Sequence, residues 1–131
     1  MEMRIDFPGG SRVDAHFDKF TVPTDQPPTA TAPTPFDLFL SSIATCAGIY
    51  VLGFCQKRGL PTDGIEIIQR THSDPATGMI DEIEIEILVP ASFPEKYHDS
   101  LIRSAELCKV KKHLETPPKF NVTTTVADLA F

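Results

Sequence analysis

Residues 34–61 read TPFDLFLSSIATCAGIYVLGFCQKRGLP, and the fold turns on how this stretch is read. Thr34 offers a hydroxyl to the first free backbone N–H groups of a helix, and Pro35 follows where a missing N–H costs nothing. Asp37, at the third helical position, places an anion near the positive helix end. Apolar side chains then continue through Leu38, Phe39, Leu40, Ile43, Cys46, Ile49, Tyr50, Leu52 and Phe54. Lys57-Arg58-Gly59-Leu60-Pro61 closes the run with cations, a terminal glycine and a proline stop. The pattern predicts a central helix over 35–58, about 36 Å long at ~1.5 Å per residue.

No charged residue falls between Leu38 and Cys55. Length alone admits a membrane span, but Ser41, Ser42 and Thr45 interrupt the run and the amphipathic strands elsewhere need a core to cover. The expectation is therefore a buried helix and no membrane. A helix that is apolar nearly all round has to be covered on every side. In a chain of 131 residues that takes a second subunit, so a homodimer is expected.

Outward from the helix, Met3, Ile5 and Phe7 alternate with Arg4 and Asp6, meet Pro8-Gly9-Gly10-Ser11, and alternation resumes at Val13, Ala15 and Phe17, as in a hairpin. Residues 1–22 are read as N-terminal strands and residues 23–34, rich in proline and threonine, as a loop. Residues 64–131 are read as strands and a second helix. Ile65, Ile67 and Ile68 mark one strand, residues 74–78 a turn, and Met79 to Val89 another strand in which Ile83, Ile85 and Ile87 alternate with glutamates. Ser92 with Glu95 reads as a capping box, after which Tyr97, Leu101, Ala105 and Cys108 recur at helical spacing. Phe120, Val122, Thr124 and Val126 read as a last strand. The whole chain, 1–131, is expected to be one α+β domain.

A formal charge of −6 and a pI near 5.1 argue against nucleic acid, whose phosphates need a basic surface. The N-terminal residues MEMRIDFPGG lack a basic region followed by an apolar run, so the expected location is the cytoplasm. The three cysteines, Cys46, Cys55 and Cys108, do not make the even framework of a disulfide-stapled domain, and no metal-ligand spacing is present. In a reducing compartment a cysteine pair is more often redox-active than structural.

Cys46 in its apolar setting is either a small core residue or a nucleophile. Cys55, nine positions on, falls on roughly the opposite side of the helix. Lys109, Lys111, Lys112 and His113 follow Cys108 directly, either as a solvated helix end or as cations that lower a thiol pKa.

Two segments carry a resemblance: Thr34-Pro35-Phe36-Asp37-Leu38 through Ala44-Thr45-Cys46, and Cys108-Lys109-Val110-Lys111-Lys112-His113-Leu114. Their order and spacing resemble those of the OsmC/Ohr proteins, the osmotically inducible protein C and organic hydroperoxide resistance proteins. That resemblance implies an OsmC-like fold with curved antiparallel sheets wrapped around central helices in an intertwined homodimer. It implies reduction of an organic hydroperoxide in which Cys46 becomes a sulfenic acid and Cys108 condenses with it to a disulfide. It also implies an external thiol or dithiol reductant, with a lipoyl-type donor suggested by family members, and no bound cofactor.

Arg12, after the Gly9-Gly10 turn, corresponds to an arginine that holds the first thiol as thiolate. It stands one position later than the family pattern, an offset that a bulge would have to correct. The family glutamate after the helix-start proline is replaced by Phe36. Phe36, Phe39 and Ile43 are the candidate lining for an apolar substrate. The alternatives are a non-enzymatic redox-sensing or hydrophobic-ligand-binding dimer of the same fold, and a structural relative with inert thiols.

Overall fold

The computed structural model describes residues 1–127. Its central element is helix α1, Pro35–Lys57, and both of its ends form as the local sequence dictates. Thr34 Oγ1 accepts from Asp37 N at 3.1 Å and Asp37 Oδ2 accepts from Thr34 N at 3.1 Å, a reciprocal capping box. At the other end Gly59 adopts φ +63, which only glycine takes without a Cβ penalty. This lets Leu60 N reach Cys55 O and Gly59 N reach Gln56 O, so the last carbonyls are satisfied.

Strands β1 (Arg4–Gly9), β2 (Arg12–Phe17) and β3 (Phe20–Thr24) form an antiparallel sheet in that order. The turn between the first two is built on Gly9 and Gly10, both at positive φ, as the Gly-Gly pair predicts. Register slips by one residue between Asp6 and Gly9, so β1 carries a bulge. Ile5, Ala15 and Val22 stand in line across the sheet, giving it an apolar face, and Ile5 and Phe7 are exposed. These three strands pack chiefly on one another.

Residues 25–33 are more ordered than a linker. The Asp25 carboxylate accepts from Ser11 Oγ at 2.6 Å, Gln26 N at 2.8 Å, and Thr31 N and Oγ1 at 2.9 Å each. Asp25 N donates to Pro33 O at 3.1 Å, which closes the loop from its other side. The hydroxyl of Ser11 and the amides of Thr31 and Gln26 hold this carboxyl far below the ordinary carboxylate range.

Strands β4 (Glu66–Ser73) and β5 (Ile80–Leu88) form a second antiparallel hairpin. Gln69 Nε2 donates to Leu40 O at 3.0 Å and ties β4 to α1. The core lies between α1 and the C-terminal half of the chain: Val51, Phe54 and Cys55 pack with Phe93 and Leu101, with Ile67 and Ile87 against them. Length and composition would let α1 cross a bilayer. In this fold it is the spine on which β4 and the C-terminal helices rest.

Three expectations need correction. Ser92 and Glu95 make no capping box: a 3₁₀ turn, Glu95–Tyr97, starts after Pro94 with no side-chain cap and leads into helix α2, His98–Ala105. Proline before Glu95 favours extended backbone and a later start. Cys108 is not on α2 but one step before a separate helix α3, Lys109–Glu115. Residues 117–127 contain no strand, and Phe120, Val122 and Val126 are exposed. Alternation supplies a face but not the ladder partner a strand requires, and none pairs with it among the described residues.

Candidate active site

Cys46 lies on the face of α1 that turns toward α3, in company with Ile43 and Phe39 one and two turns earlier. Cys108 is the N-cap of α3: its Sγ accepts from Lys111 N at 3.4 Å and donates to Ile43 O at 3.8 Å. Cys46 and Cys108 are close enough for each sulfur to act on the other's pKa. The structure thus brings the two predicted cysteines together, with both as free thiols.

The first amides of α3 face both sulfurs, and that of Val110 acts on each. The N–H of Val110 is the main influence lowering the Cys46 pKa; partial burial opposes it, and the Cys108 thiol, the Lys109 N–H and the Lys109 charge add to the lowering. Cys108 moves the other way. Burial pushes its pKa up, the Lys111 N–H offsets part of this, and the adjacent Cys46 sulfur raises it again. One sulfur is prepared to be an anion and its neighbour to remain a proton donor.

Arg12 is elsewhere. Its Nη2 bonds Asp14 Oδ2 at 2.8 Å, and Asp14 is buried. The bulge precedes Gly9, leaving Arg12 directly opposite it and on the same side of β2 as Asp14. No arginine is among the groups that act on Cys46. Nε of Arg12 and Oδ1 of Asp14 are buried with no partner among the described residues.

Phe36 and Phe39 stack with ring centroids 5.5 Å apart and lie exposed near the start of α1. Ile43, one turn on from Phe39, is buried, in the wall of a cavity of about 440 Å³ that also takes in Cys108. Sequence reasoning missed two parts of this site. The backbone of Lys109 and Val110 was invisible because Ala105-Glu106-Leu107 contains no glycine or proline to announce the break before α3. The alternation of β5 predicts sheet core for its isoleucines, yet Ile83, Ile85 and Ile87 line the cavity.

An α+β fold with two antiparallel sheets and a thiol pair set between a long helix and a short one defines a dithiol protein. The chain belongs to the OsmC-like protein family, whose model matches residues 28–123. No curated protein sequence matches it. Among solved structures it is similar to a protein of Psychrobacter arcticus 273-4 described as an osmotic stress induced and detoxification response protein. That match has 19% identity, 84% of this chain and 85% of the other covered, and a TM-score of 0.69. A hypothetical protein of Aquifex aeolicus VF5 matches at 17% identity over 88% and 87%, TM-score 0.65. The organic hydroperoxide resistance protein OhrB of Bacillus subtilis matches at 17% over 86% and 90%, TM-score 0.50. These likenesses establish the fold.

Proposed function

We propose that the protein is a thiol-dependent reductase of organic hydroperoxides. The observation that carries this reading is the asymmetric thiol pair: Cys46 with its pKa lowered, beside a Cys108 thiol whose pKa is raised. The Cys46 thiolate attacks the peroxide, the O–O bond breaks, and an alcohol leaves once its oxygen is protonated. The resulting sulfenic acid condenses with Cys108, water leaves, and a disulfide remains. An external thiol or dithiol reopens it. No metal or organic cofactor has a place in this cycle.

Family membership and the likeness to an organic hydroperoxide resistance protein support the reading. In it the protein works in the cytoplasm as a homodimer. The exposed apolar face of β1–β3 and the exposed Ile49 and Leu52 of α1 are the surfaces a second copy would cover. Arg12 takes part only if the dimer carries it to Cys46 of the partner subunit, since within one chain it is bound to Asp14. Phe36 and Phe39 are the apolar approach for the peroxide, so alkyl hydroperoxides outperform hydrogen peroxide.

The test is a thiol count after one equivalent of an organic hydroperoxide. Two thiols disappear per chain if the reading holds, and a protein that keeps all three rejects it. The cavity also favours a ligand-binding dimer without turnover, and the same count separates the two.

A further inference from the structure

An alkoxide leaves slowly unless a proton reaches its oxygen as the O–O bond breaks. Two proton-bearing side chains act on Cys46, the Cys108 thiol and the Lys109 ammonium. Their positions differ. Lys109 is exposed at the first position of α3. Cys108 is buried and lines the isoleucine cavity, whereas Cys46 does not. In an alkyl hydroperoxide the leaving oxygen is the one that carries the alkyl group. With that group among Ile83, Ile85 and Ile87, the leaving oxygen lies on the Cys108 side of the pair. The thiol is also held in place: Cys108 Sγ donates to Ile43 O at 3.8 Å and accepts from Lys111 N at 3.4 Å. The first contact keeps the proton only weakly, and the second supports the charge that its departure leaves.

We propose that Cys108 is the general acid of the oxidation step: its S–H proton passes to the leaving alkoxide oxygen while Cys46 takes the other oxygen of the peroxide. This rests on the reading of the two cysteines as a redox pair. In the step, the Cys46 thiolate forms an S–O bond to the terminal peroxide oxygen, which keeps its hydrogen. The O–O bond breaks with its electron pair on the alkyl-bearing oxygen, which takes the proton from Cys108 Sγ and departs as the alcohol. Cys46 is now a sulfenic acid and Cys108 a thiolate. That thiolate attacks Cys46 Sγ, the S–S bond forms, and hydroxide leaves and takes a proton from solvent to become water. One proton transfer thus completes the first step and creates the nucleophile of the second. Burial keeps the proton on Cys108 until the alkoxide calls for it.

The experiment measures the single-turnover rate of Cys46 oxidation in the intact protein and in Cys108→Ser, whose hydroxyl keeps a cap on α3 but is a far weaker acid. Each is assayed at a pH where Cys46 alkylation has reached its plateau, so that the thiolate fraction is the same in both. Two oxidants are compared. tert-Butyl hydroperoxide expels an alkoxide that needs a proton, and peracetic acid expels acetate, which needs none. The expected result is that Cys108→Ser slows the first reaction about 100-fold and leaves the second nearly unchanged. Equal slowing with both oxidants would mean a disturbed site rather than a lost acid, and it overturns the inference, as does no slowing with either. The same dependence on the leaving group in Lys109→Met, with Cys108→Ser unaffected, gives the proton to the lysine and also overturns it. A parent protein whose thiols survive tert-butyl hydroperoxide overturns the peroxidase reading itself, a result distinct from a parent that is oxidised no faster than Cys108→Ser.

Discussion

The middle of α1 and its C-terminal end each carry a cysteine, and they show how little the residue type decides. Cys46 meets the amides and the lysine of α3, and its pKa falls. Cys55, nine residues on, is fully buried with Val51, Phe54, Phe93 and Leu101, and burial raises its pKa despite the opposing charge of Arg58. The helix supplies the same backbone to both. The difference comes from what packs against each face, and it separates a reactive sulfur from an inert one.

The most severe way to break this contrast is to remove each sulfur in turn. Cys46→Ser should reduce hydroperoxide turnover to background, because a serine hydroxyl is hardly ionised at neutral pH and forms no sulfenic acid. Cys108→Ser should consume one equivalent of peroxide per chain and then stall until an added thiol resolves it. Cys55→Ser should keep its activity yet lose about 1–3 kcal/mol of stability in urea unfolding, since it buries a hydroxyl in an apolar cluster. Loss of turnover in Cys55→Ser would erase the distinction between the two cysteines.

A sharper probe is the pH dependence. Iodoacetamide should alkylate Cys46 with a midpoint below the ordinary thiol value of 9.0, and Cys55 only on unfolding. A depressed native pKa means that the unfolded state binds more protons between the native and unfolded values. Cys46 therefore stabilises the fold increasingly as pH rises toward 9, and that contribution is lost as pH falls through its native pKa. Cys55 has the opposite sign: its contribution is present below the unfolded pKa and lost above pH 9 as pH rises through its native value. Denaturation midpoints of Cys46→Ser and Cys55→Ser, compared with the parent from pH 6 to about 10, should diverge in these opposite senses.

Lys109→Pro tests the source of the lowering. Proline is accepted at the first helical position, and Cys108 before it is already extended at ψ 121. The variant removes one N–H and one cation facing Cys46 while keeping α3. Alkylation at pH 7 should slow by several-fold, each pKa unit being worth tenfold in thiolate. An unchanged rate would assign the effect to Val110 and Cys108.

The smallest expected effect belongs to Arg12→Ala. It should cost about 1–2 kcal/mol by leaving buried Asp14 unpaired. It should slow Cys46 alkylation only at protein concentrations where light scattering finds a dimer. Equal rates in the parent and the variant under those conditions would leave Arg12 with a structural role alone.

Much of this was legible because it is local. Thr34, Pro35 and Asp37 specify the start of α1, Gly59 its end, and Gly9-Gly10 the first turn, each through backbone chemistry within a few residues. The cysteine pair was legible through two spaced segments. What was not legible depends on partners distant in the chain. The break that makes Cys108 an N-cap, the amide of Val110 on Cys46, and the capture of Arg12 by Asp14 are tertiary facts without a motif. The unpaired stretch 117–127 belongs with them, since its alternation says which side chains face together and not what lies alongside.

The Asp25 clasp has a practical corollary for anyone who wants to splice into this chain. A proline- and threonine-rich stretch invites insertion, but between Gln26 and Thr31 an insert would pull apart bonds that join the first turn to the approach to α1. The hairpin tip at Asp74–Gly78, exposed and held by its own short bonds, is the better port for an affinity handle or a fluorophore.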